Sequence, residues 1–530
     1  MRVSLSILTS PARAQASAGI AAVLILFVVA TRMPALLHPR AIDDEQIYAV
    51  VATTMIHGGQ PYVDAVERKP PLLFDLYEVI LRAAGERNWA ALHVTAAIWT
   101  LATMAALAAA AYPLFGWPAA GWAALLYGVF VAWGDYRALA LNGELLMNLP
   151  LVIALAIAFR PTPSKLRPDL ALAGVLVGVA SLLKQPAAIA LLPLGLYVLR
   201  ADYRAARGLR RRHSIAHASW ICGGFIAALA VMSWTLWRQQ IWQNAFYWAF
   251  LSHEIPLRFM PGMFLRNGPG MIVLFIVTTF PLVYAAARSI ADGRRSAGSW
   301  AEHGAEFAGL LMFLVAAFIG VAVNGQFLPH YFLQLIPPLA LLAAPVFATT
   351  WAGVGSSSRR PVGRAAVAAS IVLAALTFFI IDTIGLARNR PASDAGRYVQ
   401  THSLPEDRIF VWGQSDGAVG IYLDAARRPA SRFLASYPLT GHIFSYDDNA
   451  SDEFARVDPG MWPALAHDFA IHPPRFVIDA DIRSVDASYP IGQYPFLRDY
   501  LNAGYDQVYG ASDGIVYLRR PSMPAGPLDR

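Results

Sequence analysis

The chain has 530 residues, of which 56% are hydrophobic and only 15% charged, and its mean hydropathy is +0.44. A soluble globular domain carries roughly 25% charged residues, so this composition excludes a wholly soluble protein and implies many apolar spans with one soluble part. The net charge is +7 and the pI about 9.4, but the basic residues lie in short clusters between apolar runs, which reads as membrane topology rather than a nucleic-acid surface.

Residues 1–15 are basic and rich in Ser and Ala. The run 16–37 that follows is too long for a signal-peptide core and has no clear cleavage site, so it reads as a retained first helix. A bilayer core of ~30 Å needs ~20 apolar residues in a helix. The candidate spans are 16–37, 89–112, 117–133, 139–159, 169–199, 215–236, 271–287, 304–323, 331–350 and 365–385. Segment 169–199 is long for one pass and short for two. Its middle, Leu183-Lys184-Gln185-Pro186, holds a charge and a helix breaker, which predicts two short helices meeting there and a total of about eleven.

The count passes a topology test. With the N-terminus inside, the inside loops 160–168, 200–214, 288–303 and 351–364 carry the basic clusters, including Lys165, Arg210, Arg211, Arg212, Arg294, Arg295, Arg359 and Arg360. The outside loops are 38–88, 134–138, 237–270 and 324–330. The short ones are poor in basic residues and 38–88 is predominantly acidic, as the positive-inside rule requires. Loop 237–270 is rich in Trp, Phe and Tyr and reads as an interfacial segment. From about 388 to 530 charges of both signs appear. Residues 408–412, 475–479 and 514–518 read as short buried strands and 391–402 and 415–426 as helices, which predicts a small exterior α/β domain. The expected fold is therefore an α-helical polytopic membrane domain, 1–387, with a soluble α/β domain, 388–530. The single cysteine, Cys222, allows no internal disulfide.

Chemistry concentrates on the outer side. Asp43, Asp44 and Glu45 sit just past the first span. Adjacent carboxylates repel, so one of them holds protons more readily than it would alone, and a carboxylate at this boundary can serve as a general base on an alcohol. The plain alternative is that Asp43 or Asp44 caps a helix over 45–57. Arg68-Lys69-Pro70-Pro71 sets two cations before a rigid turn, where a phosphate could be gripped. A solvated turn before an interfacial helix, 71–84, is the simpler reading. Glu144 is expected about 8 Å inside the 139–159 helix, and Lys184 at the outer junction of the 169–199 hairpin. An intramembrane charge costs at least about 2.5–3.5 kcal/mol, so it usually faces a cavity or a partner. Snorkelling is the alternative for Lys184. Arg137 could neutralise Glu144 or a substrate phosphate. His330-Tyr331 opens the 331–350 helix on the same side, either at the site or as an aromatic-belt anchor. His57, His253 and His303 show no metal-ligand spacing. No nucleotide motif follows a strand, so no cofactor is required and nothing supports a divalent metal. Lysine is rare: of the 42 Lys and Arg, three are lysines, Lys69, Lys165 and Lys184.

Asp44-Glu45, Gly59-Gln60-Pro61-Tyr62 and Lys69-Pro70-Pro71-Leu72 resemble the first-loop pattern of the GT-C membrane glycosyltransferases, among them the protein O-mannosyltransferases and the bacterial lipid A aminoarabinose transferases. Gly178–Pro186 and His330–Pro337 are similar to later segments of that group. The resemblance covers roughly residues 16–385 in architecture, on few specific residues. It implies transfer of a sugar from a polyprenyl-phosphate donor to a hydroxyl of a lipid, glycan or protein on the outer face of the inner membrane. It also implies that Asp44 is the base or the acceptor-positioning residue, with Asp43 an extra carboxylate beside it. Lys69, Lys184 and Arg137 would then neutralise the departing phosphate. Membrane lipids are the expected surroundings and nucleic acid is not an expected partner. A transporter or flippase and a lipid-linked glycan ligase stay open as alternatives.

Overall fold

The computed structural model describes all residues except 1–10, 41, 161–166, 206–210, 253–260, 296–298, 353–359, 389–392, 415, 443–453, 482–488 and 522–530. Lys165, His253 and parts of the basic loops lie outside the described residues. Helices dominate. α1 (Pro11–Leu37) leads to two helices of the first loop, α2 (Asp43–Ile56) and α3 (Pro71–Ala84). α3 coincides with the expected 71–84. Then come α4 (Trp89–Phe130), α5 (Gly143–Ala158), α6 (Asp169–Leu183), α7 (Leu191–Ala205), α8 (Arg211–Arg238) and the short α9 (Trp242–Phe246). α10 (Pro261–Thr278), α11 (Phe280–Arg295), α12 (Ser299–Ala322), α13 (Ile336–Ala352) and α14 (Arg360–Arg388) complete the helical part.

Among the described residues, five helices are long and apolar enough to cross a bilayer, or six with the bent pair α10–α11, and four shorter apolar helices, including α5 and α6, accompany them. The expected eleven are therefore not all present as full-length spans. The spans 89–112 and 117–133 form one 42-residue run that breaks at Gly116, whose φ of 78° and ψ of 177° are non-helical. The expected 271–287 span is instead bent by 85° at Thr279, and residues 261–270, taken as loop, belong to α10. The 169–199 segment divides at Lys184 as expected. Lys184 is extended, with φ −155° and ψ 118°, and a 3₁₀ turn, Gln185–Ala190, leads into α7.

Small residues let the helices close up where no hydrophobic force drives them together. A Cβ on Gly174 would collide with the Ile221 carbonyl, and one on Gly224 with that of Ala171, so α6 and α8 meet backbone to backbone. Gly143 does the same at the site: its Cβ would stand 2.8 Å from the Leu183 carbonyl. The start of α5 thus abuts the end of α6, and the residues that follow each, Glu144 and Lys184, become neighbours.

The tail begins with α15 (Asp394–His402) and holds a five-stranded sheet of order β2-β1-β3-β5-β4. β1 (Arg408–Trp412) runs parallel to β2 (Arg428–Pro429) and β3 (Phe476–Asp479); β4 (Tyr505–Ala511) and β5 (Gly514–Arg519) close the far edge antiparallel. α16 (Asp416–Ala425) follows β1. β1 and β3 read as continuous apolar runs because both faces are covered. The strands and helices expected from the sequence are all found in this domain.

The tail sits on the first loop. α16 packs on α2, where Gln46 meets Gly420, and Arg40 pairs with Asp424. The amide of Val66 donates to the Arg432 carbonyl at 2.9 Å, and Arg432 itself is gripped by Asp468 at 2.7 Å.

Candidate active site

α2 delivers the first carboxylates. Its N-cap is Ile42, without a side-chain capping bond, so neither Asp43 nor Asp44 serves as the cap. The side chain of Asp43 lies outside the described residues. Asp44 and Glu45 then part, because successive residues of a helix point about 100° apart. Glu45 turns inward, only 1% exposed, and its Oε1 accepts the amide of Leu141 at 2.6 Å while His93 stands 3.5 Å from Oε2. It ties the first loop to the turn before α5 and takes no place beside the cations. Burial pushes its carboxyl up, against the pull of His93, the Leu141 amide and Arg32.

Asp44 faces the other way. Its Oδ2 lies 3.6 Å from His330 Nε2, and the same nitrogen is 3.9 Å from Glu144 Oε1. Burial alone would raise its pKa, but His330, Lys69, Arg137 and Lys184 together hold the carboxyl well below the usual carboxylate range. These four groups come from four separate segments, and Asp44 is their common focus.

Lys184 Nζ pairs with Glu144 Oε1 at 2.6 Å and stands 4.9 Å from the centre of the Tyr331 ring. It is 9% exposed, so it does not snorkel. Glu144 lies in the first turn of α5, not about 8 Å inside a helix that starts at 139, because Asn142 caps the helix by accepting the Leu145 amide at 2.9 Å. Its partner is Lys184. Arg137, in the turn 136–139, pairs instead with Asp135 at 3.2 Å and packs over Tyr136. That leaves Arg137 at the rim, where it acts on Asp44 through its charge.

His330 and Tyr331 are buried inside the protein, in a 3₁₀ turn over Pro329–Leu335 rather than at the start of the following helix, so the belt-anchor reading does not hold. The Tyr331 hydroxyl donates to Gln326 Oε1 at 3.0 Å.

The Arg68-Lys69 turn is no free surface loop. The Tyr62 hydroxyl donates to the Lys69 carbonyl at 2.7 Å, and Gln185 Nε2 donates to the Arg68 carbonyl at 2.9 Å. Lys69 Nζ lies 5.8 Å from the Tyr48 ring centre. Burial, then Lys184 and Arg68, hold its ammonium below the usual lysine pKa. The Arg68 guanidinium lies 5.7 Å from the ring centre of Tyr437, whose hydroxyl donates to Glu67 Oε2 at 2.6 Å. Glu67, Tyr437 and His93 are the site residues that sequence reasoning misses. Glu67 and Tyr437 stand 370 residues apart, and no local pattern links them.

The arrangement is a carboxylate facing a ring of cations at one end of the helices. Among the described residues no group of three or more His, Cys, Asp or Glu is placed to hold a metal ion. It can accept a proton at Asp44 and compensate new negative charge at Lys69, Lys184 and Arg137.

The model of the family "dolichyl-phosphate-mannose-protein mannosyltransferase" matches residues 68–237, about a third of the chain. No curated protein matches the sequence. Among solved structures, ArnT from Cupriavidus metallidurans bound to undecaprenyl phosphate is similar at 17% identity with a TM-score of 0.59, covering 97% of this chain and 99% of that one. The archaeal oligosaccharyltransferase AglB from Archaeoglobus fulgidus, in complex with an inhibitory peptide and a dolichol-phosphate, is similar at 13% identity with a TM-score of 0.53, covering 97% of this chain and 75% of that one. At these identities the likeness shows a shared fold. It spans the membrane helices and the tail alike, and it is the fold that the first-loop resemblance implies.

Proposed function

We propose that the chain is a membrane glycosyltransferase that moves a sugar from a polyprenyl-phosphate donor to an acceptor hydroxyl. The observation that carries the reading is the convergence of His330, Lys69, Arg137 and Lys184 on Asp44. The family match over 68–237 and the shared fold agree with it. A transporter or flippase is not favoured, since neither the match nor the fold points to one.

Asp44 takes the proton of the acceptor hydroxyl as its oxygen bonds to the anomeric carbon. The bond from that carbon to the phosphate oxygen breaks, and the electron pair leaves with the phosphate. Lys69, Lys184 and Arg137 take up the charge that develops there. Attack opposite the leaving group inverts the anomeric centre. Donor binding also tunes the base. A phosphate lodged among the cations draws off their field from Asp44, and its own charge raises the carboxyl pKa. Asp44 thus becomes a better proton acceptor when the donor is in place. Glu144 holds Lys184 at 2.6 Å and fixes its ammonium.

The N-terminus is placed in the cytoplasm, and the site and the tail on the outer face of the inner membrane, in keeping with the basic loops and the acidic first loop. The test is transfer by the purified full chain from a panel of polyprenyl-phosphate sugars, with the matching pyrophosphate-linked glycans beside them. Transfer from a monosaccharide phosphate lipid is expected. Transfer from the pyrophosphate lipids alone would mean a ligase.

A further inference from the structure

The site described above uses one end of α2. The other end lines a cleft of about 480 Å³ between the membrane part and the tail, a volume in the range of small-molecule sites. Thr53 comes from α2 and His57 is the residue that ends it, while Glu86 and Arg87 come from the turn before α4, and Arg427 and Arg428 from the tail. From Asp44 to Thr53 is nine helical residues, about 14 Å, so one phosphate cannot serve both places.

The three arginines differ. Arg427 is spent on the fold: its N–H groups donate to the carbonyls of Gln400, Ser403, Ala425 and Ala426 and to the Ser403 hydroxyl. It forms a rigid cationic wall. Among the described residues, Arg87 and Arg428 have no carboxylate or carbonyl partner. The Thr53 hydroxyl oxygen is buried and also without a hydrogen-bond partner. Two further arginines lie near this pair: Arg40, which is paired with Asp424, and Arg408, which donates to the Pro429 carbonyl. Arg40 and Arg408 have lowered pKa values, first through burial and then through Arg87 and Arg428 respectively. Of the nearby carboxylates Asp424 is taken by Arg40, and among the described residues none pairs with Arg87 or Arg428. Glu86 stands 3.7 Å from His57 with both side chains about 40% exposed, and Glu406 is exposed at the rim. Arg87 lies two residues before Trp89, where α4, a helix long and apolar enough to cross a bilayer, begins, and Arg40 lies 6.0 Å from the Trp89 ring centre, so the cleft adjoins the end of a candidate span, where lipid headgroups would lie.

We propose that this cleft binds the phosphate of a lipid headgroup, held between the guanidinium groups of Arg87 and Arg428 with the Thr53 hydroxyl as a third donor. Guanidinium forks match phosphate oxygens in geometry and bind them through charge-assisted hydrogen bonds. A soluble phosphate ester offers the same chemistry, and the test separates the two sources. The inference stands without the transferase reading, because it is tested by binding alone.

The experiment labels the purified full chain with a photoreactive phosphatidic acid and maps the crosslinks by mass spectrometry. Labels are expected at 53–57, 86–87 and 426–428. Unlabelled phosphatidic acid should compete and diacylglycerol should not. Arg87→Gln with Arg428→Gln should cut this labelling at least about tenfold, the scale of one charged hydrogen bond, while labels near Lys69 persist. Arg87→Gln alone keeps the test decisive if the double variant misfolds, since that side chain is exposed and must still lower the labelling. Competition by inorganic phosphate as strong as by phosphatidic acid would overturn the lipid assignment in favour of a soluble ester. Labelling that is unchanged in both variants, or is displaced equally by diacylglycerol, would overturn the site itself. Cleft labelling without any sugar transfer would leave this inference standing and sink the transferase reading.

Discussion

Asp44 and Glu45 are adjacent carboxylates with opposite fates. Asp44 faces His330, Lys69, Arg137 and Lys184, while Glu45 anchors the Leu141 amide and His93. Asp44→Asn keeps size and most hydrogen bonding but removes the base. Its turnover should fall about 10²–10⁴-fold at normal expression, measured as initial transfer rate per folded protein. A mild Asp44→Asn beside a crippling Asp43→Asn would move the base to the neighbouring residue. Lys69 makes a second residue-scale prediction. Its ammonium loses its proton below the usual lysine pKa, and the proposed chemistry needs the charged form. Activity should therefore decline as pH rises through that lowered value, giving an alkaline limb. Lys69→Arg stays charged throughout, so the limb should move to higher pH or vanish in the pH–rate profile. The maximal rate should also drop, because a planar fork replaces a compact ammonium. An unchanged limb would assign it to another group.

At the level of elements, the tail is part of the site. The bridge between Val66 and Phe433, the Tyr437–Glu67 hydrogen bond and the Arg68–Tyr437 contact hold the segment that carries Lys69. Glu67 is 4% exposed, so removing its donor leaves a buried carboxylate short of a partner. Tyr437→Phe removes the hydroxyl and spares the ring under Arg68. We expect kcat/KM for the donor to fall about tenfold, in line with a hydrogen bond to a charged group, through KM more than kcat. The melting temperature of the purified chain should change little. A loss of melting temperature with KM intact would make Tyr437 a packing residue only. On the membrane side, Gly143 and Asn142 act in the same sense, since the first shortens the approach of α5 to Leu183 and the second starts the helix so that Glu144 reaches Lys184.

For the whole molecule the prediction is topological. Asp44, Lys69, Lys184 and His330 lie in different parts of the chain yet meet at one place, which requires their segments to share one side of the membrane. Reporter fusions after Arg212 and after Arg360 should be cytoplasmic. Fusions near Asn324 and beyond residue 400 should be exterior. A cytoplasmic tail would overturn the placement of the site on the outer face, because the tail and the first loop are in contact through Val66 and Arg432.

Hydropathy and charge along the chain were enough to mark the apolar helical part, the strands and helices of the tail, the division at Lys184 and several of the ionisable groups that meet around Asp44. Each of these depends on local composition and period, which a single segment carries in itself. Tertiary structure alone decided who pairs with whom. It gave Glu144 to Lys184 and Arg137 to Asp135, turned Glu45 to an amide 96 residues away, and joined Glu67 to a tyrosine 370 residues on. It also decided that α10 and α11 bend at Thr279 and that Glu144 falls in the first turn of its helix. Such choices follow from which backbones pack closely enough to bring two side chains within about 3 Å, and no stretch of sequence contains that distance.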